Sequence, residues 1–418
     1  MNIAAFLLTS SELSAAKISA ALLIFALSYL VFALGKFPGL KIDRPGAAMI
    51  GAVLMVALRI VGPGESIHFV DFSTVVLLFS MMLVVGNLRF AGLFDWTAGF
   101  VLRHLRRPQL LPAVVFISGL MSAFFVNDII CLAMVPLVLT ITRRMSVRPE
   151  RYLIAVATAS NIGSVATITG NPQNIMIGGF SRIPYATFAM ALGPIAAIGL
   201  VITAALIALF YWSEFSGDTR LEAPQPKVAV NRVLVIRAVG ATLVMIALFF
   251  FGVVPAKAAI IIGGLLLLTR RVRSRRVYDD IDWSLLLMFA GLFIIVAGAQ
   301  HALLTPDVIA TVGRLHLDKI PVLSAVTGVL SNLVSNVPAV LMLKPFVAAL
   351  PDHDKAWLTI AMASTLAGNF TVLGSIANLI VVQTAEQTGV KISFWDYFRV
   401  GAPLTLITLA LGTLWLSL

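Results

Sequence analysis

The 418-residue sequence predicts an all-α polytopic membrane protein made of two inverted repeats. Each repeat has five transmembrane helices plus one re-entrant hairpin, and broken helices meet at the midplane. Three observations predict it: the composition, the placement of the basic residues, and a self-similarity between the two halves. Hydrophobic residues make up 60% of the chain and charged residues 12%, against roughly 45–50% and about 25% in soluble domains. The mean hydropathy is +1.00. So little polar surface cannot cover a water-facing globule. At roughly 20 residues per span the chain has room for about ten spans plus loops. A soluble enzyme with a separate cofactor domain is thereby excluded. The net charge of +11 does not indicate nucleic acid, because the basic residues form short clusters between apolar runs, where they set topology. One cysteine excludes an internal disulfide and a thiolate metal cage. The first apolar run reads as a retained span rather than a cleaved signal.

Taken in order, residues 18–37, 45–61 and 74–90 are the first spans. Lys36, Lys41 and Arg44 lie in the first loop, while residues 62–71 carry Glu65, His68 and Asp71 without Lys or Arg. The positive-inside rule puts the first loop in the cytoplasm and the N-terminus outside. Residues 91–105 are too short and polar to cross and are expected to lie as an interfacial helix. Residues 108–142 are apolar but interrupted at Asn127-Asp128, with arginines at both ends (Arg103, Arg106, Arg107; Arg143, Arg144, Arg148, Arg151). Two cytoplasmic ends require a re-entrant hairpin. Non-helical backbone at membrane depth is tolerated only where protein or a watery cavity satisfies it, so the tip should line a site.

A broken span at 152–179 and a span at 186–212 complete the first repeat, residues 1–212. The polar stretch 213–231 is a cytoplasmic linker. The second repeat, 232–418, restates the plan. Spans at 233–253 and 258–268 are followed by a loop with Arg270, Arg271, Arg273, Arg275 and Arg276 and a span at 283–299. A half-polar helix at 303–317, a hairpin at 320–350, a broken span at 357–384 and a last span follow. Most Lys and Arg residues fall on the side called cytoplasmic, which places both termini outside.

Because each half contains an odd number of spans, the second enters the membrane inverted, as in many secondary transporters. Ser122, Asn127 and Pro136 recur as Ser331, Asn336 and Pro345, 209 residues later. Ser160, Thr167, Gly170 and Asn174 recur as Ser364, Thr371, Gly374 and Asn378, 204 residues later. Each half therefore supplies a hairpin tip and an interrupted span. Interruption frees amide donors at one half-helix, which favour an anion or polar oxygens, and carbonyl acceptors at the other, which suit a small cation. The candidate substrate-binding residues are Asn127, Ser160, Asn161, Thr167, Asn171, Asn174, Ser335, Asn336, Thr371, Ser375 and Asn378, with Ser164 and Asn369 beside them. The competing role for any one of them is to bond loose backbone or join helices in lipid.

Asp128 is the candidate proton-coupling group. An ionisable residue at membrane depth is costly and marks function by default, and withdrawal from water favours the neutral form of a carboxylate. The alternative role is an N-cap. The matching place in the second hairpin is Val337, so the halves are not equivalent. Lys344 is expected to snorkel to the outer surface rather than face the pathway, and Cys131 to act as a small buried hydrophobe. The histidines have no metal-ligand spacing, and no catalytic or metal-binding constellation is present. Residues 170–174 lack the Lys and spacing of a phosphate-binding loop.

The stretches Phe125-Val126-Asn127-Asp128, Gly170-Asn171-Pro172-Gln173-Asn174, Ser335-Asn336-Val337-Pro338 and Gly374-Ser375-Ile376-Ala377-Asn378, with the span plan, resemble the ion transporter superfamily. That group includes ArsB-type arsenite efflux pumps, NhaD-type sodium/proton antiporters and divalent-anion/sodium symporters. The resemblance covers nearly the whole chain. It implies a scaffold domain and a transport domain, and frequent homodimers. The Asn-Asp tip is similar to the ArsB-type pumps and their anion-permease relatives. The Ser-Asn-Thr signature of the carboxylate symporters is incomplete at Ser160-Asn161-Ile162 and Ser331-Asn332-Leu333.

The function expected is proton-coupled efflux of arsenite or antimonite across the inner (plasma) membrane. Ion-coupled transport of small inorganic or carboxylate anions and sodium/proton antiport are the alternatives. No cofactor is expected. A proton gradient, or a sodium gradient, would supply the energy, unless an ATPase subunit associates. The other expected partners are a small polar or anionic solute and membrane lipids, whose anionic heads would meet the basic loops.

Overall fold

The computed structural model describes residues 14–34, 39, 41–212, 232–268, 274–303 and 315–418. The linker at 213–231, most of the half-polar helix expected at 303–317, and Arg270, Arg271 and Arg273 lie outside the described residues. The described chain is helical. The first half contains α1 (Ala15–Leu34), α2 (Arg44–Ala57), α3 (Pro63–Phe69), α4 (Phe72–Ala91), α5 (Leu93–His104), α6 (Arg107–Phe124), α7 (Asn127–Arg144), α8 (Pro149–Ser164), α9 (Pro172–Ser181) and α10 (Tyr185–Phe210). The second contains α11 (Arg232–Phe250), α12 (Pro255–Leu267), α13 (Ser274–Asp279), α14 (Trp283–Leu303), α15 (Ile320–Val334), α16 (Asn336–Val347), α17 (His353–Ala367), α18 (Ile376–Gln387) and α19 (Phe394–Ser417).

Local signals start and stop these helices. Asp43 caps α2 by accepting from the Gly46 N–H at 2.9 Å, with Pro45 in the first turn. Asp71 caps α4 through the Ser73 and Thr74 N–H groups, and α4 ends at Gly92 in the left-handed region, φ 89°. The interfacial helix expected at 91–105 is α5. Seven described helices are long and apolar enough to cross a membrane: α1, α4, α6, α10, α11, α14 and α19. The expected spans at 45–61 and 258–268 are the shorter α2 and α12. At 14 residues, α2 is about 21 Å long. Large apolar side chains stand exposed on the outer faces, among them Leu209, Ile236 and Phe251, the surface of a protein whose solvent is lipid.

Helix pairs joined by tight turns stand where the two hairpins are expected, and helices interrupted by short turns stand where the two broken spans are expected. The first hairpin is α6–α7, with helices of 18 residues each, longer than its sequence suggests. Its turn falls at Phe125-Val126, and Asn127-Asp128 open the returning helix. The second hairpin is α15–α16, turning at Ser335. The broken spans are α8–α9 and α17–α18, each interrupted by a short 3-10 turn, Ile168–Gly170 and Val372–Gly374. In each half the hairpin's first helix packs on the first part of the broken span: α6 on α8, α15 on α17. The halves also interlock, α7 against α18 and α9 against α17. Beside this assembly, α1, α2 and α14 pack together around Ala21, Ile24, Met55 and Ile295. α14 also touches α16, and the gap between these two groups holds the cavities described next.

Candidate solute site

The two breaks are built alike, from the backbone outward. In the first, Asn174 Nδ2 donates to the carbonyl oxygens of Ser164 and Thr167 at 3.1 and 3.0 Å. In the second, Asn378 Nδ2 donates to those of Gly368 and Thr371 at 2.8 and 3.1 Å. All three positions are related by the same 204-residue step, so one side-chain amide in each half holds the carbonyls that the break releases. The chain folds back so tightly that a Cβ on Gly170 would stand 2.1 Å from the Ser164 oxygen, and one on Gly374 2.8 Å from the Gly368 oxygen. Only glycine fits. α9 then restarts on Asn171, which is extended as a residue before proline must be and accepts from the Asn174 N–H at 2.8 Å.

A cavity of about 200 Å³ lies where these breaks meet the hairpin tips. Asn127, Asp128, Ser335, Asn336, Thr371 and Ser375 line it, together with Gln173, Asn332 and, from the helices opposite, Tyr29, Arg44, Phe289 and Leu292. Asp128 is 4% exposed and has no hydrogen bond to any described residue. It does not cap the helix; α7 has Val126 at its N-cap and Asp128 in its first turn. There the free amides and the helix dipole favour a negative charge. Ser335 stands at φ 72°, ψ 161°, a conformation nearly reserved for glycine and strained for serine.

Ser160, Asn161, Thr167, Asn171, Asn174 and Asn378 are buried behind the cavity wall and do not line it. They form a network that joins the halves. Asn161 accepts from Asn127 Nδ2 at 2.8 Å and from Ser375 Oγ at 3.1 Å, and donates to Asn369 and Asn378, each at 2.9 Å. Asn171 and Gln173 both donate to Thr365 Oγ1 at 3.1 Å. Turned so that its nitrogen faces acceptors, the Asn336 amide donates to the Ser364 and Gly374 oxygens at 3.2 Å and accepts from Gln173 at 3.3 Å. Thr167 donates to the Ala123 carbonyl at the first hairpin's end. Ser160 lies 3.0 Å from the Cys131 sulfur, which is fully buried. Oδ1 of Asn127 and of Asn174, and Ser122 Oγ, are buried without a partner among the described residues.

Thr365, Gln173 and Arg44 are not among the candidate site residues read from the sequence. Thr365 stands at the repeat position of Asn161, so the 204-residue step was a signal for it. Arg44 reads from sequence only as a topological charge.

A second cavity, of about 760 Å³, follows the first along α14 and α16. Met288, Phe289, Leu292, Val337 and Pro338 line the first; Phe293, Val296, Gln300, Leu341 and Lys344 line the second. The Lys344 ammonium lies 3.7 Å from the centre of the Phe180 ring, at the edge of this cavity, and the residue is exposed. Between the cavities Leu292, Phe293, Val337 and Leu341 are buried, and the Gln300 amide donates to the Leu341 carbonyl.

Helices broken in both halves that converge on a buried cavity carrying amides, hydroxyls, a carboxylate and a guanidinium, in a chain with seven membrane-length apolar helices among the described residues, define a membrane transporter. A family model described as citrate transporter (CitMHS) matches residues 21–367, and the chain belongs to this family of the ion transporter superfamily. It is 28% identical to the silicon efflux transporter LSI3 of Oryza sativa, over 93% of this chain and 95% of that one. It is 24% identical to a transporter named arsB of Dictyostelium discoideum, over 89% of this chain and 87% of that one. Among solved structures, the YdaH transporter of Alcanivorax borkumensis shares the fold, with TM-score 0.59 over 96% of both chains at 13% identity.

Proposed function

We propose that this protein is a proton-coupled exporter of arsenite or antimonite in the inner membrane, with both termini outside. The observation that carries the reading is Asp128, a buried carboxylate without a described hydrogen-bond partner, opening on a cavity whose largely apolar wall carries side-chain amides and hydroxyls. Arsenite near neutral pH is an uncharged trihydroxide. It needs hydrogen bonds, not an ion pair, and Asn127, Ser335, Asn336, Thr371 and Ser375 offer donors and acceptors on one surface. Ionised Asp128 would accept from a solute O–H, a charge-assisted bond about twice as strong as a neutral one. Protonation replaces that charge-assisted acceptor by a weaker neutral one and loosens the solute, so solute and proton compete, as exchange requires. The names of two relatives, a silicon efflux transporter and arsB, support this substrate class, since silicon and trivalent arsenic both dissolve as neutral hydroxides.

A second reading, ion-coupled transport of a small inorganic or carboxylate anion, is favoured by Arg44 in the cavity wall and by the family's description. Arsenite accumulation in inside-out vesicles with an acidic interior separates the two. Saturable uptake that collapses with a protonophore supports exchange with protons. No uptake by vesicles containing folded protein moves the assignment to the anion carriers, to be screened with sodium and proton gradients.

A further inference from the structure

We infer that Arg44 is a specificity-determining residue whose guanidinium engages oxygen atoms of the solute in the first cavity and bars alkali cations from it. The inference rests on the reading of that cavity as the solute site. Arg44 opens α2, and its Nε donates to the carbonyl oxygen of Phe32 near the end of α1 at 2.8 Å. That bond holds the side chain at the cavity wall, where the residue is half-buried. No described carboxylate forms an ion pair with it. A guanidinium has five N–H donors in a planar fork, and one is used here, so four remain for oxygens brought into the cavity.

Among the described residues lining this cavity, Arg44 and Asp128 are the charged ones. With Asp128 ionised the wall is neutral overall; with Asp128 protonated it is positive. In neither state is the lining itself net negative, and Asp282, which acts on Asp128 from behind it, does not line the cavity. A hydroxide or oxyanion finds donors in both states. A basic residue serving topology alone would have no effect on which solute binds.

The test is equilibrium titration of the full chain in lipid nanodiscs with arsenite, inorganic phosphate and sodium as separate probes. In the wild type, phosphate should compete with arsenite and sodium should not. Arg44→Gln should weaken phosphate and arsenite binding by about tenfold or more, the worth of a hydrogen bond to a charged group. Binding of both within twofold of the wild type, or sodium competing in the wild type, overturns the inference. Should Arg44→Gln not fold, Arg44→Lys decides, since it keeps the charge without the fork: a severalfold loss of phosphate affinity supports, an unchanged affinity overturns. Phosphate binding that depends on Arg44, in a protein that does not bind arsenite, would sink the arsenite reading and leave this one. Arsenite exchange indifferent to Arg44 would do the reverse.

Discussion

Asn161 and Thr365 occupy one position in the two halves, 204 residues apart, and each is bonded across to the opposite half. Asn161 meets Asn369, Asn378 and Ser375, all from the second half. Thr365 accepts from Asn171 and Gln173, both from the first. The two breaks are thus crosslinked by side chains buried at 1% exposure, where an unmade bond is expensive. Neither half completes its part of the site without the other.

Replacement of Asn161 by Ala should therefore act on stability before it acts on transport. It strands the Asn127 amide and the Ser375 hydroxyl, each at a cost of about 1–3 kcal/mol if no water replaces the partner. A clear fall in the unfolding temperature of the purified protein is expected. Thr365→Val, which leaves Asn171 its bond to Ser164 Oγ at 3.0 Å, should cost less. Equal effects of the two changes would contradict the network described.

Asp128→Asn should leave the protein folded and abolish gradient-driven transport. The side chain has no described hydrogen bond to lose, and an amide of the same shape cannot take up a proton. Uptake in energised vesicles, beside the unfolding temperature of the same preparation, checks both halves of the statement. Full activity in the variant would remove Asp128 from the coupling role.

Gly170→Ala and Gly374→Ala test the tight breaks. A methyl group 2.1 Å from the Ser164 oxygen must push backbone against backbone, which costs about 1–3 kcal/mol or more. The equivalent contact at Gly374 is 2.8 Å, so the second variant should be the milder. Expression level and unfolding temperature should fall in that order.

At Ser335 two substitutions separate strain from chemistry. Glycine relieves the φ 72° conformation and should stabilise the protein by about 1 kcal/mol, while alanine keeps the strain. Both remove the hydroxyl that lines the cavity. If that hydroxyl meets the solute, both variants should raise KM for transport, and only Ser335→Gly should raise the unfolding temperature.

The interruptions were legible in the sequence because the residues that cause them are local. Asn171-Pro172 demands an extended residue and then a helix start, and Gly170 permits the approach to Ser164. Asn127-Asp128 mark the first tip to within two residues, since polar side chains gather where helix amides are free. The lengths of α6 and α7 were harder to read, because apolar runs do not record where a hairpin stops relative to its neighbours. The 204-residue repeat was visible at identical residues such as Asn174 and Asn378. It was missed at Asn161 and Thr365, where the residue type differs.

By itself the sequence determined that this is a membrane protein of apolar helices, where those helices break, and that two halves share one plan. These follow from hydropathy, basic loops and turn residues, each acting within a few positions of the chain. Only the tertiary structure decided which polar residues face the cavity and which stand behind it. Asp128 and Asn336 open on it, whereas Asn174 and Asn378 hold backbone. It also brought Arg44, from the start of α2, to the same cavity as Asp128. Such neighbours come from helices far apart in the chain, and the direction in which a side chain points depends on how those helices pack against one another.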